Sequence, residues 1–360
     1  MSGRSLVSNL RAPIVQAPLA GGASTPALAA AVAAAGGLGF LAGGYKTAAA
    51  LGDDIRALRA LTSERFGVNV FAPPAPEFDR AALASYAECL AGEAARYGVA
   101  LGEPRHDDDG FDAKLDLLVT ERVAIVSFTF GAPAAVLVER LHGAGCEVWV
   151  TVTNPDEAAQ AASAGADVLV AQGIEAGGHR GYFVDDADAA DLGLLTLLRL
   201  LAARVELPLV AAGGIADGAG VASVLCAGAA AAQIGSALML TPEAGTSAPH
   251  REALRRGGPT ALTRAFSGRQ ARGITNRFMR AYEASAPSAY PDVHHLTTPI
   301  RTAARAVGDA DAINLWAGQA YTLTREAPAA DIVGRLVAEA REAANALVAA
   351  LERDVAPLRI

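Results

Sequence analysis

Residues 208–236, PLVAAGGIADGAGVASVLCAGAAAAQIGS, carry the pattern that decides the fold. An unbroken apolar run, 208–213, ends in Gly213-Gly214. An Ala/Val-rich stretch follows, stops at Ala227-Gly228, and gives way to a second apolar run, 231–236. Continuous rather than alternating hydrophobicity marks a strand covered on both faces, as in a parallel sheet. A glycine closing an Ala-rich run is a helix stop. The segment therefore reads strand, helix, strand, and "helix, Ala-Gly, strand" recurs in HGAGCEVWV (142–150) and ASAGADVLV (162–170).

Working outward, eight strands are expected at 13–18, 38–42, 66–71, 123–130, 147–152, 168–173, 208–213 and 231–236. Helices start at Thr25-Pro26 and Asn154-Pro155, an N-cap followed by proline in the first turn. Eight βα units closing on themselves give an α/β fold, a TIM (β/α)8 barrel with a C-terminal mainly helical subdomain. A doubly wound open sheet is the alternative. The expected divisions are a barrel over 1–242, a lid over its active-site end at 243–330, and a closing helix in 331–360 packed on the barrel. Residues 98–121 fall outside the rhythm as a long, polar, acidic connection between the third and fourth strands.

Composition narrows the function. Of 360 residues, 52% are hydrophobic and 19% charged, which excludes a disordered chain. The net charge of −8 lacks the basic footprint of a nucleic-acid or anionic-membrane binder. Residues 12–45 carry no charge, but Pro13, Pro18, Pro26 and paired glycines break them into strand, helix and strand rather than a membrane span. The opening MSGRSLVSNLRAP has no apolar leader core. Cys89, Cys146 and Cys226 are scattered and odd in number, which fits a reducing compartment, the cytoplasm.

Barrels of this kind carry their chemistry at the C-terminal strand ends. Gly213-Gly214 and Gly235-Ser236 end the last two strands, the usual phosphate cradle, where bare backbone approaches an anion; two tight turns are the plainer account. Asn69, Gln172 and Gln233 are amides in apolar strands, either structural ties or partners for a polar planar cofactor. His179 sits in a glycine-rich loop after the sixth strand, where an imidazole can accept a proton. Arg180 beside it either holds an anionic substrate or caps the loop, and His294-His295 read as solvated or structural, not as metal ligands. Gly37-Leu38-Gly39 enters a strand instead of leaving one, which rules against a dinucleotide loop.

Taken together, 13–45, FGVNVF (66–71), AQGIEAGGHRG (171–181), 207–245, AYPDVHHLTTPIR (289–301) and NLWAGQA (314–320) resemble the nitronate monooxygenase family, formerly 2-nitropropane dioxygenases, in its class I branch. The resemblance implies FMN bound without covalent attachment. It also implies oxidation of alkyl nitronates, or of nitroalkanes, by O2 to a carbonyl compound and nitrite through an anionic flavin semiquinone. By motif position Asn69, Gln172, Gly177, Gly178, Gly213, Gly214, Gln233, Gly235 and Ser236 would hold FMN, and His179 would be catalytic. Ala20, Gly21, Arg180, Tyr290 and Tyr321 are the substrate-side candidates; no lysine follows Lys114 to serve there. The rivals are an NAD(P)H-dependent reductase of quinones or enoyl thioesters, and a non-catalytic flavin-binding protein. No nucleic acid, membrane or metal partner is expected, and the chain would be a monomer or homodimer.

Overall fold

The computed structural model describes residues 5–73, 79–185 and 191–352. In chain order its elements are β1 (Ile14–Gln16), α1 (Pro26–Ala34), β2 (Gly39–Ala42), α2 (Ala48–Leu61), β3 (Phe66–Phe71), α3 (Arg80–Arg96), α4 (Phe111–Glu121), β4 (Ile125–Thr129), α5 (Ala135–Gly143), β5 (Glu147–Val152), α6 (Pro155–Ala164) and β6 (Val168–Gln172). There follow β7 (Gly178–His179), α7 (Leu194–Ala202), β8 (Leu209–Ala212), α8 (Gly218–Cys226), β9 (Ala231–Ile234), α9 (Ala248–Arg256), β10 (Thr260–Thr263), β11 (Ala271–Ile274), α10 (Arg277–Tyr282), α11 (Asp292–Ala306) and α12 (Ala329–Leu351).

Eight strands pair in parallel in the order β1-β9-β8-β6-β5-β4-β3-β2. A parallel bridge between Val15 and Leu38, with Gln16 N–H donating to Leu38 O at 2.9 Å, brings β1 to β2 and rounds the sheet into a TIM barrel. All eight lie where the apolar runs placed them. The caps also match: Thr25 Oγ1 accepts from Leu28 N at 3.0 Å, and Asn154 Oδ1 from Asp156 and Glu157 N. Gly36, Gly145, Gly165 and Gly228 take the left-handed conformation that ends each helix.

Strand periodicity sorts the side chains. Val15, Phe40, Ile125, Trp149, Val168, Val170 and Val210 fill the barrel interior, with Trp149 tilted on Phe40 at 5.6 Å. Outward partners such as Leu169, Ala171, Ala232 and Ile234 meet the helices. Glu147 closes the lower end, accepting from Trp149 Nε1 and from Ser5 and Leu6. The Ala/Gly-rich composition allows close approach: a Cβ on Gly39 would sit 2.3 Å from Ala29 O of α1. This explains the glycines at 37 and 39 better than any nucleotide loop.

One expectation needs correction. The 98–121 connection is not loop throughout: 111–121 is α4, whose Phe111, Leu115 and Leu118 join the main core. Their i, i+4, i+7 spacing was legible, but Lys114 among them obscured the stripe. The 243–330 segment is mainly helical and also carries a hairpin. Its hairpin β10–β11 pairs antiparallel with β7, so a barrel loop and the C-terminal segment share one sheet. A second core joins α3 to α9, α10 and α11 through Tyr86, Leu90, Leu254, Phe278 and Ile300. Helix α12 packs against α8 and α1, while 353–360 lie outside the described residues. Among the described residues no helix is long and apolar enough to cross a membrane.

Gly39→Ala is expected to lower stability by about 3 kcal/mol, because backbone on the facing helix cannot yield. Gly92→Ala on the exposed face of α3, where a Cβ meets nothing within 4 Å, should instead stabilise slightly. Urea unfolding midpoints of the two variants check both directions.

Candidate active site

A cavity of about 480 Å3 opens at the C-terminal ends of the barrel strands. Its floor follows from parity. Gln172 stands two residues beyond Val170 and Gln233 two beyond Ala231, so both point inward, above the apolar layer. Asn69, Thr129 and Thr151 complete a polar tier lining the cavity.

The three amides differ in what they have left to offer. Asn69 Nδ2 donates to Ser127 O, Ser127 Oγ and Thr129 Oγ1 at 2.9–3.2 Å, which leaves its Oδ1 as an acceptor. Gln172 is committed to the loop after β6: Oε1 accepts from Gly181 N at 2.8 Å and Arg180 Nη1 at 3.0 Å, and Nε2 donates to His179 O at 3.1 Å. Gln233 makes no side-chain hydrogen bond with any described residue, yet it lines the cavity. A half-buried amide without a protein partner is built to meet a ligand. Asn314 Oδ1, buried on the cavity wall, is likewise unpaired.

Around the rim, Gly213 and Gly214 take positive φ and Gly177 packs against Gly318, so these glycines serve loop packing as much as ligand approach. Gly235 differs. An added Cβ there would meet protein only at 3.6 Å, with cavity in front of it. Ser236 Oγ accepts from Gly318 N at 2.9 Å, leaving the hydroxyl proton to be donated. Unspent amide ends, a free hydroxyl and bare backbone suit a planar heterocycle with a phosphorylated chain. Among the described residues no group of three His, Cys, Asp or Glu side chains could hold a metal.

His179 projects into this cavity from β7. Ser267 Oγ donates to Arg269 O at 3.2 Å, so it accepts from His179 Nε2 at 2.8 Å; the ring carries its proton on Nε2 and its lone pair on Nδ1. Phe130, Tyr290 and Trp316 enclose the imidazole at 5.5–5.9 Å between ring centres. Burial, then the charges of Arg269 and Arg301, pull its pKa down to about 3. The ring is neutral at pH 7.

Arg180 does not reach the cavity. Neighbours on an extended ribbon point to opposite sides, so with His179 facing in, Arg180 faces out. It is fully buried, donates to Gly173 O at 2.6 Å and lies over the Tyr182 ring. It is the loop cap, not an anion holder. Tyr290 touches His179 but lines an adjoining cleft rather than this cavity. Tyr321 does line it, with its hydroxyl donated to Gly258 O. Ala20, Gly21, Gly177 and Gly178 line it as well.

Sequence reasoning missed the far wall. His294 is not a solvated residue: it lines the cavity, while its neighbour His295 turns to Asp107 at 3.1 Å. On a helix, adjacent residues point about 100° apart. Arg301, about two turns beyond His294 in α11, lines the cavity too and binds His294 O at 2.7 Å. Burial lowers the pKa of His294, and that of His250 to about 4. A helical stripe of His294, Thr298, Arg301 and Arg305 was the available signal.

Residues 4–339 match the family model described as nitronate monooxygenase. The chain belongs to the nitronate monooxygenase family. It is 45% identical over 343 residues to a nitronate monooxygenase of Pseudomonas aeruginosa, covering 92% of this chain and 97% of that one. It superposes on the nitroalkane oxidase of Streptomyces ansochromogenes with a TM-score of 0.92 and 51% identity, over 95% of this chain and 99% of that chain. FabK from Thermotoga maritima shares the architecture at a TM-score of 0.76 and 26% identity, over 97% and 100% of the two chains. Family membership makes this member of the nitronate monooxygenases an oxidoreductase.

The three neutral histidines set an acid limit. Burial holds each folded pKa below the 6.5 of an ordinary imidazole, so between about pH 7 and 5 the unfolded chain binds protons that the folded chain does not. Stability should fall with pH across that window, read as a drop of several degrees in melting temperature. His294→Phe, which keeps a ring against Tyr45 but cannot be protonated, should show a shallower fall.

Proposed function

We propose that this enzyme oxidises preformed alkyl nitronates with O2, to a carbonyl compound and nitrite, using non-covalently bound FMN. The observation that carries the choice of nitronate over neutral nitroalkane is the state of His179. The field of Arg269 and Arg301 that disfavours an imidazolium favours an anion in the same place. A proton taken from a nitroalkane carbon would have to rest on a ring whose pKa lies near 3. A nitronate has already lost that proton.

The residues fit FMN. Gly235, Ser236 and the Gly213-Gly214 turn would receive the phosphate, and Asn69 Oδ1 and Gln233 would meet the polar edges of the ring and its chain. Bound there, the flavin supplies the electron acceptor for the nitronate and the route onward to O2. The protein's own part is positional. Arg301 attracts the anion, His179 presents a neutral ring against it, and Phe130, Trp316 and Met239 keep the pocket apolar. The name borne by the Pseudomonas aeruginosa relative supports the nitronate reading, whereas the name nitroalkane oxidase borne by the Streptomyces ansochromogenes protein keeps the neutral nitroalkane as a competing substrate, and an NAD(P)H-dependent reductase is the rival activity.

The purified protein should show a flavin absorption spectrum. Mixed without oxygen, ethyl nitronate should bleach it rapidly and NADPH should not; rapid bleaching by NADPH with turnover of a quinone or enoyl thioester would establish the reductase instead. His179→Ala should retain flavin while kcat/KM for ethyl nitronate falls about 10²-fold, the effect of losing a positioning contact. For wild-type enzyme and freshly prepared nitronate, kcat/KM should stay level from pH 8 to 5, since His179 of the free enzyme does not titrate there. An inflection near 6.5 would refute the neutral-ring account.

A further inference from the structure

The 98–121 connection has no part in the chemistry above, yet it builds one side of a second cavity. A cleft of about 530 Å3 adjoins the first, lined by Phe71, Arg105, Asp109, Tyr290 and Pro291 among others. Arg105, Asp108 and Gly110 on its rim are exposed, so it opens to solvent. Tyr45, Phe71, His294 and Thr298 line both spaces. One layer of side chains divides them, and at its centre the rings of Tyr45 and His294 stack 4.1 Å apart and 2° from parallel. Phe71 meets Tyr45 edge-on at 5.4 Å.

Much structure is devoted to holding this pair. Tyr45 stands at φ +64, a left-handed conformation that bulky residues rarely adopt. Such a conformation persists only where its surroundings over-determine it. Here the Asp109 carboxylate accepts the Tyr45 N–H at 3.1 and 3.3 Å, and Asp109 is itself paired at 2.6 Å with Lys114, which is 1% exposed. Tyr290 donates its hydroxyl to that of Tyr45 at 3.3 Å. On the other side, Arg301 lies 3.3 Å from His294 Nδ1. The connection is fastened to α11 as well: Gly102 N donates to Leu296 O at 2.9 Å, and His106 Nδ1 is 2.9 Å from Asp292. The acidic connection thus fixes Tyr45 directly and His294 through α11.

We propose that the stacked Tyr45–His294 pair is the partition that limits the length of the substrate chain, and that Asp109 is the positioning residue that keeps Tyr45 in it. Removal of the tyrosine ring joins the cavity to the cleft, whose walls of Phe71, Ala72, Ala113, Tyr290 and Pro291 can take an alkyl tail. The proposal rests on the nitronate reading for the identity of the head group.

Tyr45→Gly tests it, because glycine suits φ +64 and removes the ring without adding strain; Tyr45→Phe keeps the ring and loses the hydroxyl. Two readouts are taken on the holoenzyme. The first is calorimetric binding of propanoate and octanoate, unreactive planar anions with the two oxygens of a nitronate. The second is kcat/KM for ethyl and octyl nitronates. Tyr45→Gly should shift both ratios at least tenfold toward the long chain, Tyr45→Phe should leave them unchanged, and Asp109→Asn should shift them in the same direction as the glycine variant. Unchanged ratios in a Tyr45→Gly protein with wild-type flavin content and melting temperature would overturn the proposal, as would wild-type enzyme already binding octanoate as tightly as the variant. Absence of nitronate turnover in wild type would refute the functional reading alone, since the carboxylate ratio still reads the partition.

Discussion

Both ends of the Gln172 amide are spent on one loop, accepting from Gly181 and Arg180 and donating to His179. A glycine-rich segment would otherwise wander, since glycine gives up more backbone freedom on ordering than any other residue. Each such bond contributes only about 1 kcal/mol net, but a buried amide left unmet costs more, so the loop has one favourable arrangement. With the loop fixed, residues 178–179 can act as a strand, pair with 271–272 and carry His179 to Ser267. The barrel and the C-terminal segment are joined at the point where the reactive side chain is aimed.

The electrostatics follow from that geometry. Arg269 is buried with its guanidinium 4.0 Å from the centre of the Phe130 ring, bonded to backbone carbonyl oxygens rather than to a carboxylate. Arg301 is held in the same way by His294 O and by threonine hydroxyls. Carbonyl dipoles satisfy the donors but leave the net charge in place. Burial keeps the nearby imidazole neutral, and two cations that form no ion pair among the described residues add to this and favour an anion beside the apolar pocket. The negative overall charge of the chain gives no hint of this, because the field at the site is set by local burial.

The barrel was legible because its signals are local: continuous apolar runs, capping residues and glycine stops each act over a few residues. The amide tier was legible for the same reason, as parity along a strand places Gln172 and Gln233 with the inward residues. Arg180 stays open in sequence between anion holder and loop cap, because the choice depends on residues 178–179 being a strand, which their pairing with 271–272 decides. The hairpin at 260–274 escaped notice, since its partner is a two-residue strand far away in sequence. His294 reads as solvated or structural in sequence because its neighbours lack the spacing of a metal site; its importance comes from Tyr45, about two-thirds of the chain away.

What the sequence by itself determined is the closed barrel, the mouth at its strand ends, and the residue types that edge the mouth, because these depend on periodicity and on the conformational limits of glycine and proline. What only the tertiary structure decided is which charges and rings face one another across that mouth. The tautomer and neutrality of His179, the outward turn of Arg180 and the Tyr45–His294 wall all arise from contacts between segments brought together by folding. Burial and Coulomb interactions depend on distance in space, which a linear pattern does not carry.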